Sequence, residues 1–105
     1  MEIDSIVIVS LNTPKEKVWG RLVALNAAGI TIQGIDLNCF DDWVRQVIEA
    51  EPEVVTPTTV FYPIHRVERI AQDDSSGSIP SVSQRFLGRV GISLLDYLRL
   101  PGNSP

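Results

Sequence analysis

The chain has one cysteine, Cys39, and one histidine, His65. A lone cysteine excludes an intrachain disulfide, and with it the cross-linked framework of small secreted domains. One histidine leaves little from which to build a histidine-based metal site. No alternating carboxylate loop of the calcium-binding type occurs either. No unbroken apolar run is longer than the four residues Ile6 to Val9, against about 20 for a membrane-crossing helix. Met1-Glu2-Ile3-Asp4 lacks the basic stretch ahead of an apolar run that a signal peptide carries, so the expected location is cytoplasmic. The glycines match neither dinucleotide-binding nor P-loop spacing. No cofactor and no metal are expected. Lysine is scarce: Lys15 and Lys17 stand against seven arginines. The net charge of -4 weighs against DNA and anionic membranes and leaves RNA only a local patch to use.

What is present suits one folded unit, residues 1–105, with a modest core that oligomerisation would enlarge. Ile6-Val7-Ile8-Val9 is a β-branched run that favours a strand buried on both faces. Asn12-Thr13-Pro14-Lys15 reads as a turn. Residues 17–25 form a second strand, with Val18, Leu22 and Ala24 on one face and Trp19, Arg21, Val23 and Leu25 on the other. A connection at Asn26-Ala27-Ala28-Gly29 leads to a third strand from Ile30, completing an antiparallel meander. Phe40, Trp43, Val44, Val47 and Ile48 fall on one helical stripe. Asn38 is placed to cap that helix, Asp41 and Asp42 suit its N-terminal end, and Pro52 stops it. After a loop, 51–57, come a fourth strand at Thr58–Tyr62, a corner at Pro63-Ile64-His65-Arg66 and a fifth strand at Val67–Gln72. Residues 73–78 read as a solvated polar linker. Ser81 with Gln84 and Ser93 with Asp96 are capping-box patterns opening two C-terminal helices. Gly91 is placed to end the first, and 101–105 reads as a frayed tail.

The expected fold is therefore α+β: a small, strongly bent five-stranded antiparallel sheet or open barrel. One helix, 39–51, is inserted after strand 3 of a β-rich core at 1–72, and a helical extension spans 79–100. The stretch Val60-Phe61-Tyr62-Pro63-Ile64-His65-Arg66-Val67-Glu68-Arg69-Ile70 resembles the strand, one-turn corner and strand of SH3-like and Sm-like barrels. Trp19-Gly20-Arg21-Leu22 is similar to their glycine-bearing second strand. The resemblance covers roughly residues 3–72. It implies that Val67 and Ile70 plug a barrel, and it raises RNA binding as an expectation. Two features depart from it. Sm-like proteins usually carry a helix before the first strand, whereas here the helix follows the third, and their RNA-contacting residues match no position here. The chain also looks like short bacterial proteins of uncharacterised function, which implies no activity.

Arg66, Arg69, Arg85 and Arg89 form the only basic cluster in the sequence, with Tyr62 and Phe61 as candidate stacking partners for RNA. The competing reading pairs these arginines with Glu68, Asp73, Asp74 and Asp96. Trp19 shares a strand face with Arg21, and an exposed strand tryptophan would mark an interface. Trp43 fits the core stripe. Cys39 near a helix start, with His65 as base, is the one conceivable nucleophile pair, and no signature surrounds it. The expectation is a non-enzymatic interaction or scaffold module that self-associates or binds a protein. The alternatives are an Sm-like RNA binder using the arginines and a small enzyme using Cys39 and His65.

Overall fold

The computed structural model describes residues 1–50 and 56–100; the expected helix stop at Pro52, most of the 51–57 loop and the 101–105 tail lie outside them. Five strands form one antiparallel sheet: β1 (Ile6–Leu11), β2 (Glu16–Asn26), β3 (Gly29–Asp36), β4 (Thr58–Pro63) and β5 (Val67–Gln72), in the order β4-β3-β2-β1-β5. A 3-10 turn, Leu37–Cys39, leads into α1 (Phe40–Glu49) between β3 and β4, and α2 (Val82–Val90) and α3 (Leu94–Leu98) follow β5. The α+β class, the inserted helix and the C-terminal helices are as expected.

β4 and β5 are the two edges of the sheet, yet only the one-turn helix Ile64–Arg66 joins them. The sheet must curl until its edges approach at that end. Gly20 and Gly34 make the curl possible. They face each other in the β2–β3 register, and a Cβ on Gly20 would lie 2.6 Å from the Gly34 Cα and collide with the Gln33 carbonyl. Backbones this close leave no room for a side chain on either strand. Among the described residues no ladder joins β4 to β5, so the sheet is not closed into a barrel.

Curling gives the sheet two apolar faces, each with its own core. The concave face packs on itself through Val7, Val9, Leu11, Val18, Leu22, Ile30 and Ile32, with Tyr62, Val67 and Ile70 half-buried against them. The convex face is covered by helices: Trp19 and Ile35 meet Phe40, Trp43 and Val44 of α1, Phe86 of α2, and Leu94, Tyr97 and Leu98 of α3. Trp19 is the hub. Its ring centroid lies 5.4 Å from Phe40, 6.2 Å from Trp43 and 5.9 Å from Phe86. Trp43 stacks on Phe86 at 5.1 Å.

Several local expectations need correcting. The strict alternation along β2 fails at Val23, where the register shifts: Leu22 faces Ile32, but Ala24 faces Thr31 and Leu25 faces Ile30. One bulged residue moves Ala24 to the convex face and Leu25 to the concave one. Asn38 does not cap α1. The Asp36 carboxylate accepts from the Asn38 N–H at 2.8 Å and caps the preceding 3-10 turn, and no side chain caps α1 itself. Ile48, expected on the buried stripe, is 51 % exposed, and α1 ends at a left-handed Ala50. At α2 the expectation holds. Ser81 and Gln84 form the reciprocal capping box, and Gly91, at φ 96°, ends the helix with its N–H on the Leu87 carbonyl.

Candidate functional site

The residues singled out in sequence separate in space. Arg66 is half-buried and holds the β1–β2 turn: it donates to the carbonyls of Asn12 (3.1 Å) and Pro14 (3.0 Å) and pairs with Glu16 at 3.4 Å. Its guanidinium lies 5.8 Å from the Tyr62 ring centre. Arg85 and Arg89, on successive turns of α2, both reach Asp41 of α1, at 3.5 and 3.2 Å. Arg85 also lies 4.9 Å over the Phe40 ring. These exposed pairs tie two helices together, each worth at most about 1 kcal/mol. The ion-paired reading thus holds in kind for three arginines, but the acids are Glu16 and Asp41, not Glu68, Asp73, Asp74 or Asp96. Arg69 stands apart, on β5 beside a separate cleft.

Trp19 is 0 % exposed and offers no surface to a ligand. The face it shares with Arg21 is the one the helices cover. Its indole N–H donates to the Asp73 carboxylate at 2.9 Å. The same carboxylate accepts from the backbone N–H groups of Val82 (3.0 Å) and Ser83 (2.7 Å) and from the Ser83 hydroxyl (2.6 Å). Asp73 is therefore no solvated linker residue. It caps the first amides of α2 while Ser81 caps the third, and it locks that helix to the central tryptophan.

Cys39 and His65 are not brought together. Cys39 follows the C-terminal end of β3, and the His65 corner is bonded to the other end, with the Ile64 N–H on the Ala28 carbonyl at 2.9 Å. β3 puts roughly 20 Å between them at its usual rise per residue. Among the described residues no cluster of His, Cys, Asp and Glu could hold a metal ion, and no helix is long and apolar enough to cross a membrane.

Two clefts flank Glu16 and Asp36. The larger, about 620 Å³, is lined by Lys15, Lys17 and Arg69 together with Glu16, Asp36 and Glu68. The smaller, about 250 Å³, runs along the concave side of β4 and is lined by Val18, Ile32, Val60, Tyr62, Cys39 and the same two carboxylates, among others. Burial raises the Tyr62 phenol above its ordinary pKa of 10.0; Glu16 and Asp36 add to the rise, and Arg66 opposes it.

The strand expected at Thr58–Tyr62 is present as β4; what sequence reading missed is that it is an exposed edge. Thr58-Thr59-Val60-Phe61-Tyr62-Pro63 carries no charge. Its β-branched and aromatic residues suit a strand. It pairs with β3 without a bulge, from Gly29 opposite Pro63 to Gly34 opposite Thr58. Among the described residues its other edge is unpaired in the sheet. Val60, Phe61 and the adjacent Ile64 are 36, 50 and 47 % exposed. The signal was in plain view: an uncharged strand bracketed by Pro57 and Pro63 in an acidic chain. What sequence could not give was its edge position.

Comparison with models of protein families, with curated proteins and with solved structures finds no match to this chain.

Proposed function

We propose that the chain is a non-enzymatic interaction module of the cytoplasm that associates with itself through an open sheet edge. The observation that carries this reading is the exposed, uncharged β4 edge. An unpaired strand presents a row of backbone donors and acceptors that can pair with another chain, and natural edges are usually blunted by charges or bulges. β4 has neither. The likeness to SH3-like and Sm-like barrels supports the reading in a limited way: the strand order β4-β3-β2-β1-β5 with a one-turn corner between the edges suits a small open barrel that pairs at its edges. The test is absolute mass by light scattering behind size exclusion across a concentration series. A mass that rises with concentration to a defined oligomer is expected, and a monomer up to millimolar concentration refutes the reading.

The larger cleft favours a second reading. Lys15, Lys17 and Arg69 line it, and among the described residues none of the three makes an ion pair. Three such cations could follow the phosphates of an RNA strand. Gel shifts at two salt concentrations test this, because binding through about three phosphates must weaken with salt. Binding with no salt dependence, or none at all, refutes it.

A further inference from the structure

We propose that the second copy docks on β4 with its own β4, the two strands running antiparallel about a two-fold axis at Val60. The inference rests on the self-association reading and specifies its geometry.

The sheet offers two edges, and they differ. β5 carries Glu68 and Arg69, both exposed, and its register with β1 breaks between Ser10 and Leu11. Charges and bulges are the usual means of keeping an edge from pairing. β4 carries no charged residue and no register break, and its only proline, another such device, is the terminal Pro63. For a chain of net charge -4, a copy of itself is repelled except where the meeting surfaces are neutral, and β4 with the adjoining Ile64 is such a surface.

The sequence of β4 also matches itself when reversed. An axis at Val60 sets Thr58 opposite the partner's Tyr62, Thr59 opposite the partner's Phe61, and Val60 opposite the partner's Val60. Every pair joins residues of one face. Thr58, Val60 and Tyr62 lie on the concave side, opposite Gly34, Ile32 and Ile30. Thr59 and Phe61 lie on the convex side, opposite Gln33 and Thr31. The off-axis pairs set a β-branched residue against an aromatic one, a stabilising cross-strand combination. Pro57, buried within its own chain, and Pro63 bracket the ladder, and neither can donate a hydrogen bond, so the register is bounded at both ends. Because one patch meets its own copy, association closes at two chains.

The interface is small. A five-residue edge with one half-exposed phenylalanine buries on the order of 400–500 Å² per chain, against about 800 Å² for a standard interface. The dimer is accordingly a weak one, expected in the micromolar range or above.

The experiment uses the full chain. In a Cys39→Ser background, Val60→Cys brings two thiols together across the axis, within the Cα separation a disulfide spans. Glu68→Cys on β5 serves as the comparison. Mild oxidation is expected to convert V60C, and not E68C, to a covalent dimer. Separately, Val60→Lys sets like charges face to face and is expected to weaken dimerisation at least tenfold, with the monomer's circular dichroism unchanged. Thr59→Lys, at an exposed site, repeats the test should V60K fail to fold. A dimer of unchanged affinity in the lysine variants overturns the β4 geometry while leaving self-association standing. So does cross-linking that requires a mixture of V60C with E68C, because that outcome is head-to-tail pairing of β4 with β5. A wild-type chain that stays monomeric overturns both.

Discussion

Replacing Asp73 with alanine removes one carboxylate and strands four donors: the Trp19 indole, the backbone N–H groups of Val82 and Ser83, and the Ser83 hydroxyl. The donors do not suffer equally. Trp19 has no exposed surface, so its N–H is left unpaired inside the core, at about 1–3 kcal/mol. Val82 and Ser83 are half-buried, and water can reach the start of α2. The loss there resembles that of a helix cap, roughly 1 kcal/mol. Together the cost is about 2–4 kcal/mol, a large part of the roughly 5–15 kcal/mol that holds a small protein folded. For a chain of this size it corresponds to a fall in Tm on the order of 10–25 °C. Thermal unfolding followed by circular dichroism and by tryptophan emission measures it. A double-mutant cycle with Trp19→Phe separates the two contributions, because D73A must cost less when the indole N–H is already gone. A Tm within about 2 °C of wild type would refute the claim that Asp73 anchors α2 to the sheet.

The two glycine classes give opposite outcomes. Gly20→Ala forces a Cβ into the β3 backbone and is expected to destabilise by more than about 2 kcal/mol. Gly88→Ala, on α2 with nothing within 4 Å of the added methyl, is expected to stabilise by up to about 1 kcal/mol through helix propensity; urea midpoints check both. The Trp43 indole N–H is buried without a hydrogen-bond partner, whereas that of Trp19 has Asp73. Trp43→Phe is therefore expected to cost about 1 kcal/mol less than Trp19→Phe in the same melts. Tyr62 holds its proton more tightly in the folded state, chiefly through burial. Its stabilising contribution is thus complete below 10.0, the ordinary phenol pKa, and is lost as pH rises through the higher folded value. Stability measured across that window should fall less steeply in Tyr62→Phe; an identical slope would count against the burial argument.

Patterns confined to a few neighbouring residues were legible in the sequence. The Ile6–Val9 run, the Ser81/Gln84 capping box and the proline corner after Tyr62 each declare a local conformation, and each stands in the structure. What failed depends on residues far along the chain. Trp19 alternates with Arg21, which makes that face look exposed, and only the arrival of Phe40, Phe86 and Tyr97 on the helices buries it. Asp73 sits in a run of aspartates, serines and glycine that reads as linker. Its partner Trp19 is 54 positions away. The arginines looked like one cluster because they are close in number or in helical phase, yet Arg66 answers to a turn 50 residues earlier and Arg85 and Arg89 to an acid on α1. The bulge at Val23 carries no residue signature at all, and it alone reverses the faces of Ala24 and Leu25.

The division of the sheet into a self-packing concave face and a helix-covered convex face also sets an order in time. β1, β2 and β3 form a meander of consecutive neighbours, so this part can assemble early, from short-range closures. The lid over Trp19 comes from α1, α2 and α3, and the last of these ends at Leu98. β1 likewise waits for β5, whose Ala71 pairs with Ile8 across most of the chain. During synthesis from the N-terminus, a nascent chain therefore holds a half-built sheet with its central tryptophan covered only by α1 and one strand edge open until β5, α2 and α3 have emerged. That interval, more than the finished fold, is when the molecule is most exposed to wrong partners.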